Sequence, residues 1–136
     1  MRDIWYLKDD QIKDFIQLLF YAYRETFSDP KTILAKKYFG LAHLRTINLI
    51  ERYPGISLSD LIIKLKITKQ SLNRVIRELL KSKMIKQVKD DKDTRKKKLF
   101  LYKEGRLLFD KIYKAQKQRI FNTIKTSYTD QLVKIK

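Results

Sequence analysis

Between Pro54-Gly55 and Tyr102 the apolar residues change period, and that change restricts what the chain can fold into. The stretch from Ile56 to Tyr102 reads ISLSDLIIKLKITKQSLNRVIRELLKSKMIKQVKDDKDTRKKKLFLY. Its first half has helical spacing. Leu58, Leu61, Ile62 and Leu65 form one stripe, and Leu72, Val75, Ile76, Leu79 and Leu80 form a second at i, i+3, i+4, i+7 and i+8. Ser57, with Asp60 three residues on, gives the shorter helix a variant capping box, and Thr68 caps the longer one. Two short runs follow, Lys83–Lys89 with Ile85 and Val88 apolar, then Leu99–Tyr102. They flank a charged loop and predict a hairpin. The expected order is helix, turn, helix, wing.

The flanks are helical. Asp9 and Asp10 can cap a first helix in which Ile12, Phe15, Ile16, Leu19 and Tyr23 share a face. Leu18, Phe20 and Ala22 add apolar surface on other sides, so this helix needs more than one neighbour. Ser28-Asp29-Pro30 is expected to end it and to open a second helical region from about Lys31 to Tyr53. Gly40 would break that region, and Leu41, Leu44, Ile47 and Ile50 would share a face. Pro54-Gly55 is the clearest stop signal. Gly105 falls in the first turn of a long C-terminal helix. Leu108, Ile112 and Ala115 mark one face of it, and Phe109, Tyr113, Ile120 and Ile124 another. One face is expected to pack inward and the other to meet a second subunit. No Gly/Ser/Pro-rich linker divides the chain, so one domain is expected: mainly α, with a small β-hairpin wing.

Charge narrows the partner. The 136 residues carry 32 Lys plus Arg against 15 Asp plus Glu, a formal net charge of +17. That excess favours a polyanion, with nucleic acid first and an anionic membrane surface second. Cysteine is absent, which excludes disulfides, thiolate zinc sites and thiol redox sensing. The longest nearly unbroken apolar run, Phe15 to Tyr23, is too short to span a bilayer, and MRDIWYLKDD lacks the features of a signal peptide. A cytoplasmic protein is expected, nucleoid-associated when bound to DNA.

With its apolar stripe inward, the longer helix presents Lys69, Gln70, Ser71, Asn73, Arg74 and Arg77. Gln and Asn can each pair with adenine through two hydrogen bonds, and Arg can do the same with guanine. These residues cluster in the first two turns, where a recognition helix enters the major groove of double-stranded DNA. A solvated polar face would account for any such helix taken alone; the preceding helix and the wing shift the balance towards DNA. In the wing, Arg95 suits the minor groove, and Lys96, Lys97 and Lys98 suit phosphate. Asp93 is expected to hold Arg95, or the base of the wing, in position.

From about Gln11 to Phe121 the chain resembles the MarR family of winged helix-turn-helix regulators. The matching pieces are YPGISLSDL, LKITKQSLNRVIRELLKSKMI, the wing element DKDTRKKKLFL and KEGRLLF. The wording ITKQSLNRV, with LLFYAYRETFSDP upstream and GLAHLR between, looks like a subgroup frequent in alphaproteobacteria. The resemblance implies a homodimer with a winged-helix lobe at about 41–102 and dimerisation helices at about 10–27 and 103–136. It matches Lys69, Gln70, Ser71, Asn73 and Arg74 to base-reading positions and Arg95 to the wing arginine. The family usually has Gly where this chain has Lys83, a position expected to demand a left-handed backbone. It usually has a capping Thr where this chain has Tyr102. The C-terminus also looks short for the family, which would trim the dimerisation region.

The expected function is therefore sequence-specific regulation of transcription by a dimeric repressor. It would read a pseudo-palindromic operator with recognition helix 68–82 and wing 85–102. The rival reading is an architectural DNA binder of low specificity, and a third is a winged helix used for protein contacts alone. His43, the single histidine, makes a poor metal site and is expected to be a packed or surface residue. A small-molecule effector pocket involving His43 and Arg45 is conceivable, with helix packing the stronger reading. No metal or cofactor is expected. No phosphate loop, nucleophile elbow or metal-ligand cluster points to an enzyme, and Asp90-Asp91 are expected to titrate as ordinary exposed carboxylates.

Overall fold

The computed structural model describes residues 7–135, with side-chain surroundings for 7–27 and 30–126. The stretch MRDIWY and Lys136, the last residue of the expected C-terminal helix, lie outside it. The order is α1 (Asp9–Ala35), α2 (Leu41–Arg52), α3 (Leu58–Leu65), α4 (Lys69–Lys81), β1 (Ile85–Lys89), β2 (Lys97–Leu101) and α5 (Lys103–Ile135). The chain forms two compact units. Among the described residues one comprises 7–30 and 114–135, the other Lys31–Tyr113.

The second unit contains the core. Leu44, Ile47 and Ile50 of α2, Leu61 and Leu65 of α3, and Leu72, Val75, Ile76 and Leu79 of α4 are buried together with Ile85 and Leu99 of the hairpin and Leu108 and Ile112 of α5. Each such side chain contributes on the order of 1.5–3 kcal/mol by leaving water. The stripes of α3 and α4 thus meet the core as their spacing predicts, with Leu58, Ile62 and Leu80 only partly buried against it. Leu41 is 44% exposed and leaves the face assigned to it with Leu44 and Ile47.

Local signals set the helix ends. Ser57 Oγ accepts from the Asp60 N–H at 3.2 Å, and Thr68 Oγ1 accepts from the Ser71 N–H at 3.1 Å, so both predicted N-caps form. The α3–α4 turn passes through Lys66 in the left-handed region, φ 55°. α4 closes with two bonds, Lys83 N–H to Leu80 O at 3.1 Å and Met84 N–H to Leu79 O at 2.9 Å, with Lys83 at φ 59°. This is a Schellman closure, and it confirms that the family glycine position demands a left-handed backbone here. α1 ends in the same way. Tyr38 N–H bonds Ala35 O and Phe39 N–H bonds Leu34 O, with Tyr38 at φ 61°.

Three boundaries differ from expectation. α1 runs through residues 28–30 to Ala35, so Ser28-Asp29-Pro30 neither ends one helix nor begins the next. Pro30 has no N–H and leaves the Thr26 carbonyl, four residues back, without its helical donor. Gln116 Nε2 donates to that carbonyl at 3.4 Å, a compensation supplied ninety positions along the chain. The interruption before α2 falls at 36–39, and Gly40 serves as the N-cap of α2 in extended backbone. β1 begins at Ile85 and β2 spans Lys97–Leu101, because Lys83 and Met84 are consumed by the α4 closure.

The antiparallel hairpin pairs Ile85 with Leu101, Gln87 with Leu99 and Lys89 with Lys97. Ile56 adds an isolated bridge to Leu99, with Gly55 N–H to Leu99 O at 2.8 Å and Leu99 N–H to Ile56 O at 3.1 Å. Gly55 is required there by its φ of 88°, and the Phe100 ring packs over it. α5 starts beside the α4 closure. Tyr102 N–H donates to Met84 O at 2.9 Å, and a Cβ on Gly105 would collide with that oxygen. No side-chain hydrogen bond caps α5 at Tyr102. The Tyr102 carbonyl accepts from the Arg106 N–H, and Lys86 Nζ lies 5.8 Å from the centre of its ring.

In the other unit, Arg119 bonds Glu25 at 3.3 Å. Ile12, Phe15, Ile16, Leu19 and Tyr23 recur at helical spacing along α1; Phe20, expected on another side, follows Ile16 at i+4 and joins their face, and each of the six is 42–61% exposed. Ile120, Phe121 and Ile124 of α5 are also exposed.

Gly105→Ala is expected to destabilise the chain by about 2–3 kcal/mol, because the added methyl meets a backbone oxygen that cannot move without breaking the Tyr102 bond. Urea unfolding should show a lower midpoint at unchanged m-value. An unchanged midpoint would mean that α5 does not approach Met84 so closely.

Candidate nucleic-acid interface

α4 buries Leu72, Val75, Ile76 and Leu79, and that fixes what it can present. Lys69, Gln70, Ser71, Asn73, Arg74 and Arg77 are all exposed, on one helix of 13 residues. Lys69, Arg74 and Arg77 form no ion pair among the described residues. Thr68 Oγ1, besides accepting from the Ser71 N–H, donates to Ser71 Oγ at 2.9 Å. The Ser71 hydroxyl therefore keeps its own proton for an outside acceptor.

One acidic residue on α4 faces away from this surface. Glu78 Oε2 accepts from His43 Nε2 at 2.5 Å, while His43 Nδ1 accepts from the Gly40 N–H at 3.0 Å. The Gly40 bond fixes the tautomer, leaving Nε2 as the donor to Glu78. His43 is buried and stacks on Phe39 with ring centres 4.7 Å apart. It is a packing residue that ties the start of α2 to the third turn of α4.

The wing is shaped by its acids. Asp90 Oδ1 accepts from the Lys92 N–H at 2.9 Å, and Asp93 Oδ1 accepts from the Arg95 N–H at 3.0 Å. Both are Asx turns, in which a short carboxylate satisfies a backbone donor two residues on. Asp90 N–H to Lys96 O and Lys96 N–H to Asp93 O, both 2.9 Å, close the loop. Asp93 Oδ1 also takes Arg95 Nε at 3.3 Å, and the Arg95 side chain is 91% exposed. Lys96 and Lys97 are exposed and Lys98 half-buried. Arg95 and these lysines share a groove of about 600 Å³ with Gly55, Asp90 and the start of α3 at Ser57–Asp60.

The Lys92 backbone N–H, aided by Lys98, the Asp93 backbone and Lys96, holds the Asp90 carboxyl below its ordinary value of 3.8, against a smaller opposing effect of desolvation. Asp90 is thus not the ordinary exposed carboxylate expected from sequence.

The structure brings the predicted residues together as two surfaces, the outer face of α4 and the wing. Sequence reasoning missed Gln87 of β1. It lines a cleft of about 520 Å³ with Gln70, Asn73, Ile76, Arg77 and Leu80. Its place at an inward register of a strand is the signal that could have found it. Among the described residues no group of three or more His, Cys, Asp or Glu is placed to hold a metal, and no helix is long and apolar enough to cross a membrane.

A sequence profile described as MarR family matches residues 39–96. The chain is 37% identical over 115 residues to the HTH-type transcriptional regulator PetP of Rhodobacter capsulatus, covering 85% of this chain and 69% of PetP. Solved structures share its fold, and two of them illustrate it. One is a mutant of S. aureus MepR bound to an oligodeoxyribonucleotide, with TM-score 0.65 and 18% identity over 90% of this chain and 98% of that one. The other is the transcriptional regulator Tm0710 of Thermotoga maritima, with TM-score 0.68 and 16% identity over 90% of this chain and 81% of that one.

Because the native pKa of Asp90 is depressed, its contribution to stability is present above the ordinary carboxylate value and is lost as pH falls through the native one. Asp90→Asn should therefore lower the thermal midpoint at pH 7, and the gap to wild type should close as pH falls below the ordinary carboxylate value of 3.8. A gap independent of pH would contradict this.

Proposed function

The chain belongs to the MarR family, a DNA-binding transcriptional regulator, and from that premise we propose that it is a dimeric repressor reading a pseudo-palindromic operator with recognition helix 68–82 and wing 85–102. The observation that carries the reading is the exposed outer face of α4, where Lys69, Gln70, Ser71, Asn73, Arg74 and Arg77 stand together, three of them cations with no ion-pair partner among the described residues. Gln70, Asn73 and Arg74 read base edges from the first two turns, with Lys69 and Ser71 contributing contacts there. Arg95, steadied by Asp93, enters the minor groove, and Lys96, Lys97 and Lys98 hold phosphate. MepR bound to an oligodeoxyribonucleotide gives a relative of the same fold on DNA.

The lobe at about 41–102 binds DNA, and the helices at about 10–27 and 103–136 make the dimer. The exposed stripe from Ile12 to Tyr23 supports this, since six large apolar side chains in one line are the surface a second copy covers. Two recognition helices then address half-sites about 34–36 Å apart. Bound at a promoter, such a dimer excludes polymerase and so represses.

The test is selection of duplexes from a random pool by the wild-type chain, followed by titration of Asn73→Ala and Arg74→Ala. Each variant should weaken the selected duplex about tenfold or more and relax preference at one position per half-site, with two chains bound per duplex. Equal losses on selected and shuffled duplexes would assign these residues to charge and shape alone.

A further inference from the structure

We propose that Gln87 of β1 is a positioning residue for DNA, gripping one backbone phosphate together with Arg77 of α4. The proposal rests on the DNA-binding reading above and extends it to a side chain of β1, a strand of the wing in which that reading singles out no residue. Pairing places Ile85, Gln87 and Lys89 on one face of β1, opposite Leu101, Leu99 and Lys97. Ile85 and Leu99 are buried, so this is the face turned towards the helices. Gln87 shares that face yet is exposed. It marks where the inner surface of the hairpin leaves the core and becomes a wall of the cleft beside α4.

That cleft is lined by Gln70, Asn73 and Arg77, spaced i, i+3 and i+7 on α4, with Gln87 from β1 and with Ile76 and Leu80 as the apolar part. None of the four polar side chains has a hydrogen-bond or ion-pair partner among the described residues. No carboxylate lines the cleft. With Gln70 and Asn73 engaged on base edges, Arg77 and Gln87 remain in the cleft as a guanidinium and a carboxamide N–H, donors that suit an anion with several acceptor oxygens. A DNA phosphate is the anion continuous with this surface. Arg77 lies eight residues beyond Lys69, about 12 Å along the axis, whereas the major groove is about 8.5 Å deep. A helix that enters by its first turns therefore carries Arg77 and the adjacent strand to the groove wall, where the phosphates are.

Gln87 is neutral, which gives the test its resolution. A neutral donor holds a phosphate without releasing a counterion, so it adds affinity without adding to the salt slope. Binding is measured from about 50 to 200 mM salt on the duplex selected by wild type and on a mixed-sequence duplex of equal length. Gln87→Ala should weaken both about tenfold with the slope unchanged. Gln87→Lys should bind at least as well as wild type and steepen the slope by about 0.9. Gln87→Glu should weaken binding more than tenfold. Gln87 is exposed, so unchanged thermal midpoints should accompany all three. The proposal is overturned if Gln87→Ala binds within twofold of wild type. It is also overturned if that variant changes base preference at a single position, which would make Gln87 a base reader. If Asn73→Ala and Arg77→Ala weaken binding while the Gln87 variants do not, only this proposal fails. If none of them matters, the DNA-binding surface itself is misassigned.

Discussion

The peptide carbonyl of Met84 is the point on which the unit from Lys31 to Tyr113 depends. Before it, α4 closes through the left-handed Lys83 and the bond from Met84 N–H to Leu79 O. At the oxygen itself, Tyr102 donates its N–H as β2 ends, and Gly105 brings the first turn of α5 into contact. The helix α4, the hairpin and α5 thus meet at one backbone group. A left-handed lysine costs roughly 1–2 kcal/mol, which the two closure bonds and the burial of Met84 offset. The orientation of the outer face of α4 follows, because α4 is fixed at its end by this closure, along its length by Leu72, Val75, Ile76 and Leu79, and at its third turn by the bond from His43 to Glu78.

The parts of this arrangement that rest on short-range signals were legible in the sequence. Ser57 and Thr68 cap their helices because a hydroxyl needs only a donor three residues away, and the α4 stripe buries because its spacing leaves no other face. The outward residues of α4 follow from the same spacing. What could not be read depends on partners distant in the chain. Pro30 looks like a terminator until Gln116 is brought to the Thr26 carbonyl. Gly105 looks like a weak helix former until Met84 is set against it. Gln87 looks like an ordinary polar strand residue until the register places it beside α4. Asp90 looks like an ordinary exposed acid, yet its carboxylate holds the Lys92 N–H in the first turn of the wing loop.

Charge has two separate jobs in this chain. The acids of the wing are spent on backbone N–H groups inside Asx turns, and Glu78 is spent on His43, so their negative charge does structural work. Many of the cations remain directed outward. A net charge of +17 alone would give strong, salt-sensitive attraction to any duplex. The concentration of Gln70, Asn73 and Arg74 at the entering end of α4 is what turns attraction into selection on this account, and it separates a regulator from a low-specificity architectural binder.

That distinction is measured directly by the ratio of affinities for the selected duplex and a shuffled duplex of the same composition, at physiological salt. The account predicts a ratio of about a thousand or more. A ratio near one, with steep salt dependence on both duplexes, would contradict it and leave a protein that binds DNA by charge alone.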